Sequence, residues 1–219
     1  MKRFVLVRFR DVDFELIVID NGPRRSEAHF RNLSVALPRN ECVAGTNGGF
    51  FDVATFQPNG LMISDGRRTG TYDPKNWAAG VLAVRNARLL LGDQSQFVPD
   101  ASVTQLVQTG PWLVRGGKAQ WGFTNDESPA RRTFIATGGE GTWVLGHLES
   151  STLLELAIFL TSPTIKKILP VREALNLDGG SSSALWVTEG QSNTYFQEKV
   201  PVRNYIGIRP RKPISDWSR

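Results

Sequence analysis

The chain has 219 residues, 40% of them hydrophobic, enough to close one sizeable core, so a single domain is expected. The formal net charge is +5, but lysine and arginine are scattered with no long run. That argues against a nucleic-acid partner while leaving a field that attracts an acidic ligand. A lone cysteine, Cys42, excludes an intrachain disulfide, and His29 and His147 lack metal-ligand spacing, so neither a metal centre nor a cofactor is expected.

Met1 to Arg8 opens with a basic start and an apolar stretch too short for a signal peptide, and no apolar run reaches the roughly 18 residues a membrane span needs. The compartment stays open, because an exported chain whose leader had been trimmed reads the same way. Phe4 to Phe9 and Phe14 to Ile19 carry the β-branched and aromatic residues of strands. A helix is expected from about Ser26 to Leu37, with Pro38 just beyond its end.

Glycine turns then punctuate a series of strands. Leu61 to Ser64 precedes Asp65-Gly66, Gly80 to Val84 is a further strand, and Trp112 to Arg115 precedes Gly116-Gly117. Phe134 to Thr137 and Trp143 to Gly146 flank Gly138-Gly139-Glu140-Gly141. A helix follows, because Thr152 and Glu155 form a capping box ahead of Leu153, Leu156, Ala157 and Leu160 at helical spacing. Ala174 to Leu177, Ala184 to Thr188 and Tyr205 to Ile208 complete the strands, and a polar tail begins near Pro210. The expected fold class is α+β: one domain, mainly antiparallel or mixed sheet, with hairpins and one or two packed helices.

Four segments can carry chemistry. In Asn176-Leu177-Asp178-Gly179-Gly180-Ser181-Ser182-Ser183, paired glycines allow successive N–H groups to face one concavity, and the serines add donors to it. Asp178 at the rim can carry a proton, act as a nucleophile or orient sugar hydroxyls; a plain turn capped by aspartate is the bland alternative. In Thr46-Asn47-Gly48-Gly49-Phe50-Phe51-Asp52, Asn47 can donate and accept at once, as sugar recognition requires. Phe50 and Phe51 suit either the core or a sugar ring, and Asp52 is either a second carboxylate or a turn former. In Gln108-Thr109-Gly110-Pro111, Gly110 lets backbone approach a ligand, and in Arg131-Arg132-Thr133 a guanidinium can hold a charged group bidentately. His147 is an acid/base candidate or a structural histidine.

In this order the segments resemble the phosphodiester glycosidase family. The blocks that carry the resemblance are Asn47 to Phe51, Gly60 to Gly66, Gly110 to Val114, Arg132-Thr133, Thr152 to Ala157 and Leu177 to Ser182, covering nearly the whole chain after about residue 40. The resemblance implies a domain over 1–209 with a polar tail at 210–219, and hydrolysis of a sugar 1-phosphodiester, of N-acetylglucosamine type, without an obligatory metal. It implies that Asp178, Arg132 and Asn47 converge, with Gly179, Gly180, Ser181 and Ser182 holding phosphate, and Gly49, Asp52, Gly110, His147 and Asn204 around the substrate. It also points to a glycan or small-molecule phosphodiester as partner and to an exopolysaccharide or cell-envelope setting. Two positions depart from the family pattern: Ser181 replaces a third glycine, and Val200 replaces an arginine, a charge that Lys199 or Arg203 could restore. The rival expectation is a noncatalytic carbohydrate- or phosphoglycan-binding module.

Overall fold

The computed structural model describes residues 3–72, 78–124, 126 and 128–212. Three antiparallel sheets share one interior. The first has the strand order β1 (Phe4–Arg10), β12 (Thr142–Ser151), β11 (Ala130–Gly139), β13 (Glu173–Asn176), β9 (Trp112–Arg115) and β10 (Lys118–Ala119). The second runs β15 (Ser192–Phe196), β14 (Leu185–Glu189), β3 (Ala44–Asn47), β16 (Asn204–Pro210) and β2 (Phe14–Asp20). The third runs β5 (Arg67–Thr69), β4 (Met62–Ser64), β8 (Val103–Thr109), β6 (Gly80–Arg85) and β7 (Arg88–Asp93). With its few helices this is an α+β fold. No helix among the described residues is long and apolar enough to cross a membrane.

Strand alternation divides the apolar side chains between layers, because successive residues face opposite sides of a sheet. On β11, Ile135 joins Phe9, Leu16, Leu82, Leu175 and Ile206 in a central cluster fed by all three sheets, while Phe134 and Ala136 face outward. That outer face is covered by α2 (Leu153–Leu160) and α3 (Pro163–Ile168). In α2 the Thr152/Glu155 capping box forms, and Leu153, Leu156, Ala157 and Leu160 are buried. Truncating Leu156 to alanine would leave a void beneath the helix and cost about 2–5 kcal/mol. The β11–β12 hairpin is longer than the sequence suggested, since Gly138 and Gly139 continue β11 and the turn proper is Glu140-Gly141, both at positive φ.

The first helix differs from expectation. Arg25–Glu27 is only a 3-10 turn, and α1 spans Leu33–Arg39 with Pro38 inside it. Asn21 is the reason: its main-chain carbonyl accepts from the His29 N–H, and its side chain accepts from Phe30 N at 2.8 Å and donates to Phe30 O, which holds this stretch extended. The helix starts where Asn32 caps Val35 N–H and the buried Glu198 carboxylate accepts from Leu33 N–H at 2.7 Å. The second sheet's outer face packs on α1 through Leu33, Leu37, Trp186 and Tyr205. Of the tail, Pro210 ends β16, while residues 213–219, with Trp217, lie outside the described residues.

Candidate active site

At the end of β13 the chain leaves the first sheet for the second. Leu177 N–H donates to Thr133 O at 2.9 Å, and the next amide, Asp178 N–H, donates to Gly48 O at 3.1 Å. Asp178 therefore stands at the seam between the two sheets. Asn47, the last residue of β3, locks that seam: its Nδ2 donates to Asp178 O at 2.7 Å, and its Oδ1 accepts from Ala184 N–H at 3.0 Å. The Thr133 hydroxyl lies 2.9 Å from Asn47 Oδ1 and 2.8 Å from Asp178 O. Asn47 is fully buried, so its side chain acts inside the protein and sets the backbone that carries Asp178.

Past Asp178 the chain turns back through a 3-10 segment, Gly180–Ser182, which Gly180 opens at φ 60. The Asp178 carboxylate accepts from Gly179 N–H at 2.8 Å and interacts with the Ser182 hydroxyl. As a whole the residue keeps some surface, but its carboxyl group is packed against protein. Burial pushes its pKa up to about 6, against the opposing pull of Ser182 and Gly179. The turn is tied from behind by Lys199 N–H to Ser181 O at 2.7 Å and by the Arg131 guanidinium, which donates to Ser183 O and Gln197 O.

Arg132, one residue on, takes the other face of β11. Its Nε donates to Ser151 O at 2.9 Å, and Asp126 stands 3.4 Å from its Nη2. Asp126 also accepts from Leu153 and Leu154 N–H, so one carboxylate caps α2 and holds the guanidinium in place. Burial lowers the pKa of Arg132 and the Asp126 charge offsets part of that, leaving the group cationic at neutral pH. A cavity of about 590 Å³ opens in front, lined by Arg132, Gly179, Asn176, Gly110 and an aromatic wall that includes Phe50, Trp112 and Trp121. Trp121 is 84% exposed at this cavity.

The arrangement gathers Asp178, Gly179, Arg132 and Gly110 at or beside one cavity. Other expected site residues stand behind it or away from it. Asn204 is buried and its Oδ1 accepts from Gly49 N–H at 2.9 Å, which fixes the Asn47-Gly48-Gly49 turn. Gly48 has to be glycine, because a Cβ there would stand 1.7 Å from that same Oδ1. Asp52 is exposed and caps its own turn through Ala54 and Thr55 N–H, which holds its carboxyl below the usual range. His147 is fully buried and stacks on Phe196 at 4.7 Å; burial, then the charges of Arg131 and Arg3, push its pKa down to about 4. Arg203 does not replace the arginine missing at Val200, since it ion-pairs with Asp20 on a different cavity. Among the described residues no three side chains of His, Cys, Asp or Glu gather to hold a metal.

Sequence reasoning missed Asp126 and Trp121, and it named Thr133 and Asn176 only within their segments, without a role. Asp126 lies in the stretch Asn125 to Pro129, whose composition reads as a turn, and no spacing marks it as the partner of Arg132. Trp121 sits between Gln120 and Gly122, and an exposed tryptophan cannot be told from a core one by type alone.

No curated protein matches the chain significantly. Among solved structures, it is similar to the catalytic domain of zebrafish N-acetylglucosamine-1-phosphodiester alpha-N-acetylglucosaminidase, auto-inhibited by pro-peptide. The TM-score is 0.64 at 18% identity, over 96% of this chain and 83% of that one. A hypothetical protein from Synechocystis is similar at a TM-score of 0.55 and 17% identity, over 96% of this chain and 61% of that one. At these identities the likeness concerns the fold. The sequence profile of the phosphodiester glycosidase family matches residues 40–209, a span that contains every residue of the cavity described above, and the chain belongs to that family.

Proposed function

We propose that the chain hydrolyses a sugar 1-phosphodiester of the N-acetylglucosamine type, with Asp178 and Arg132 as its catalytic residues. The observation that carries this is that Gly179, next in the chain to the desolvated Asp178 carboxylate, packs beside the cationic Arg132 at the cavity: a Cβ on Gly179 would stand 3.6 Å from Arg132 Nη1. A glycosyl phosphodiester needs both. The bond from the sugar's anomeric carbon to the phosphate oxygen breaks with its electron pair on oxygen, and the phosphomonoester leaves as a stable anion with little need of a proton. Arg132 stabilises the charge growing on that phosphate. Asp178, ionised above about pH 6, takes the proton of the water that attacks the anomeric carbon and faces the cationic sugar as the bond lengthens.

Among the described residues the cavity lining includes no Asp or Glu, and Asp178 stands beside it next to Gly179, which suits a reaction whose leaving group needs no general acid. Asn47 enters this reading as a positioning residue, and Gly180, Ser181 and Ser182 as the turn that shapes the anion's seat. The aromatic wall offers ring faces to the sugar. Glycans of the exopolysaccharide or cell-envelope kind that carry this linkage are the natural substrates we propose.

Incubation with an N-acetylglucosamine 1-phosphodiester tests the proposal. Wild-type protein should release free sugar, and Asp178→Asn should release none. Sugar binding by both proteins with release by neither would instead establish a binding module, the reading that the exposed Trp121 also favours.

A further inference from the structure

A second cavity, of about 550 Å³, shares no lining residue with the candidate active site. It lies where the β2–β16 edge of the second sheet meets the β4–β5 hairpin of the third. Four arginines line it, Arg67, Arg68, Arg203 and Arg209, together with His29, against two carboxylates, Asp20 and Asp65. Both acids are committed within the protein: Asp20 to Arg203, and Asp65 to the Gln105 side chain, which donates to it at 2.7 Å. Arg209 is paired with Glu15.

Two of the four arginines are unbalanced. Arg67 and Arg68 are exposed and have no carboxylate partner among the described residues. Arg203 is deeply buried, its side chain 2% exposed, and its Nε has no hydrogen-bond partner although the rest of the guanidinium grips Asp20. A buried guanidinium N–H without an acceptor is costly, and Arg203 carries that cost in the wall of the groove. Cationic groups lining one concavity reinforce one another's field and favour an anion that arginine can grip.

We infer that this groove is an anion-binding site separate from the candidate active site, and that it takes a phosphate or carboxylate group borne by an acidic glycan. Its size admits a monosaccharide carrying the charged group, and the polar lining that includes Asn40, Gln57 and Ser64 offers partners for sugar hydroxyls. The inference does not depend on catalysis.

The test uses an Arg132→Gln background, so that binding at the candidate active site is suppressed. Glucose 6-phosphate, inorganic phosphate and neutral glucose are titrated by calorimetry at low and high salt. Glucose 6-phosphate should bind saturably, glucose should not, and added salt should weaken the binding. The double substitution Arg67→Ser/Arg68→Ser, at exposed positions, should weaken it by about tenfold or more. In the otherwise wild-type chain the same double variant should hydrolyse a small sugar 1-phosphodiester within about twofold of the normal rate. Equal affinity for glucose and its 6-phosphate, no saturable binding of either anion, or affinity unchanged in the double variant would each overturn the inference. Loss of hydrolysis in the wild type would bear only on the proposed function. Binding of inorganic phosphate as tight as that of glucose 6-phosphate would mean the groove reads a free anion, and would overturn the glycan assignment.

Discussion

At the end of β3 the chain reads Asn47-Gly48-Gly49, and one residue past the strand-like run ending at Leu177 it reads Asp178-Gly179-Gly180. The first turn is sealed: Asn47 is fully buried, Asn204 fills the space over Gly48, and a Cβ on Gly49 would stand 2.5 Å from Val107. The second is open on one side, where Gly179 lines the cavity and a Cβ on Gly180 would meet no atom within 4 Å. Similar local sequences thus do different work. A polar residue whose hydrogen bonds all end inside the protein fixes geometry, whereas one desolvated but short of partners stores the reactivity that chemistry draws on.

The contrast is broken hardest at Asp178. Asp178→Asn should lower kcat about a thousandfold or more, the usual scale for removing a proton carrier. The same change should stabilise the fold at neutral pH. The folded pKa is raised from 3.8 to about 6, so the native state holds this proton more tightly than the unfolded chain. The ionised form therefore costs stability once pH rises through about 4 to 6, and the cost vanishes below the unfolded value. Denaturant unfolding should show the Asp178→Asn variant gaining about 2–3 kcal/mol at pH 7.5 and nothing at pH 3.5. A gain at both pH values would show that the carboxyl is not desolvated.

Asn47→Ala should do the opposite. It strands Ala184 N–H and leaves the Asp178 carbonyl with only the Thr133 hydroxyl as side-chain donor, and should cost about 3 kcal/mol of stability, read as a lower unfolding midpoint. If the variant kept its midpoint and lost only turnover, Asn47 would belong with the working surface and the comparison would collapse. Arg132→Gln and Arg131→Gln carry the contrast to adjacent residues of one strand. The first should reduce kcat/KM about a hundredfold and also lower the unfolding midpoint, because it leaves the mostly buried Asp126 without its ion-pair partner; the second should loosen the fold more than it slows the reaction.

Smaller effects sharpen the picture. The rate should rise with pH through about 6 and then level, as Asp178 ionises; a plateau extending down to pH 4.5 would assign the base elsewhere. Trp121→Ala should raise KM by about three- to tenfold with kcat nearly unchanged, since an exposed ring at the cavity binds substrate without touching the breaking bond.

Runs of β-type residues beside glycine turns, such as Phe134 to Thr137, and the capping box at Thr152 were legible in the sequence, because turn chemistry and helix capping are local. The Asp178-Gly179-Gly180 turn was legible for the same reason, since glycine pairs announce a backbone that can fold back on itself. The helix expected from Ser26 to Leu37 starts only at Leu33, because the clamp of Asn21 on His29 and Phe30 overrides a local preference. Asp126 went unseen because its partners, Arg132 and the first turn of α2, are met only after the chain has folded across them.

The sequence by itself determined the α+β class, most of the strands and the turns at which a site could form, all of which follow from periodicity and backbone preference over a few residues. Only the tertiary structure decided that Arg132 faces the cavity while Arg131 ties the back of the serine turn, that Asn47 and Asn204 support from behind, and that His147 is walled in against Phe196. Those outcomes depend on which groups lose water and which find a partner, and both are settled only when distant segments pack together.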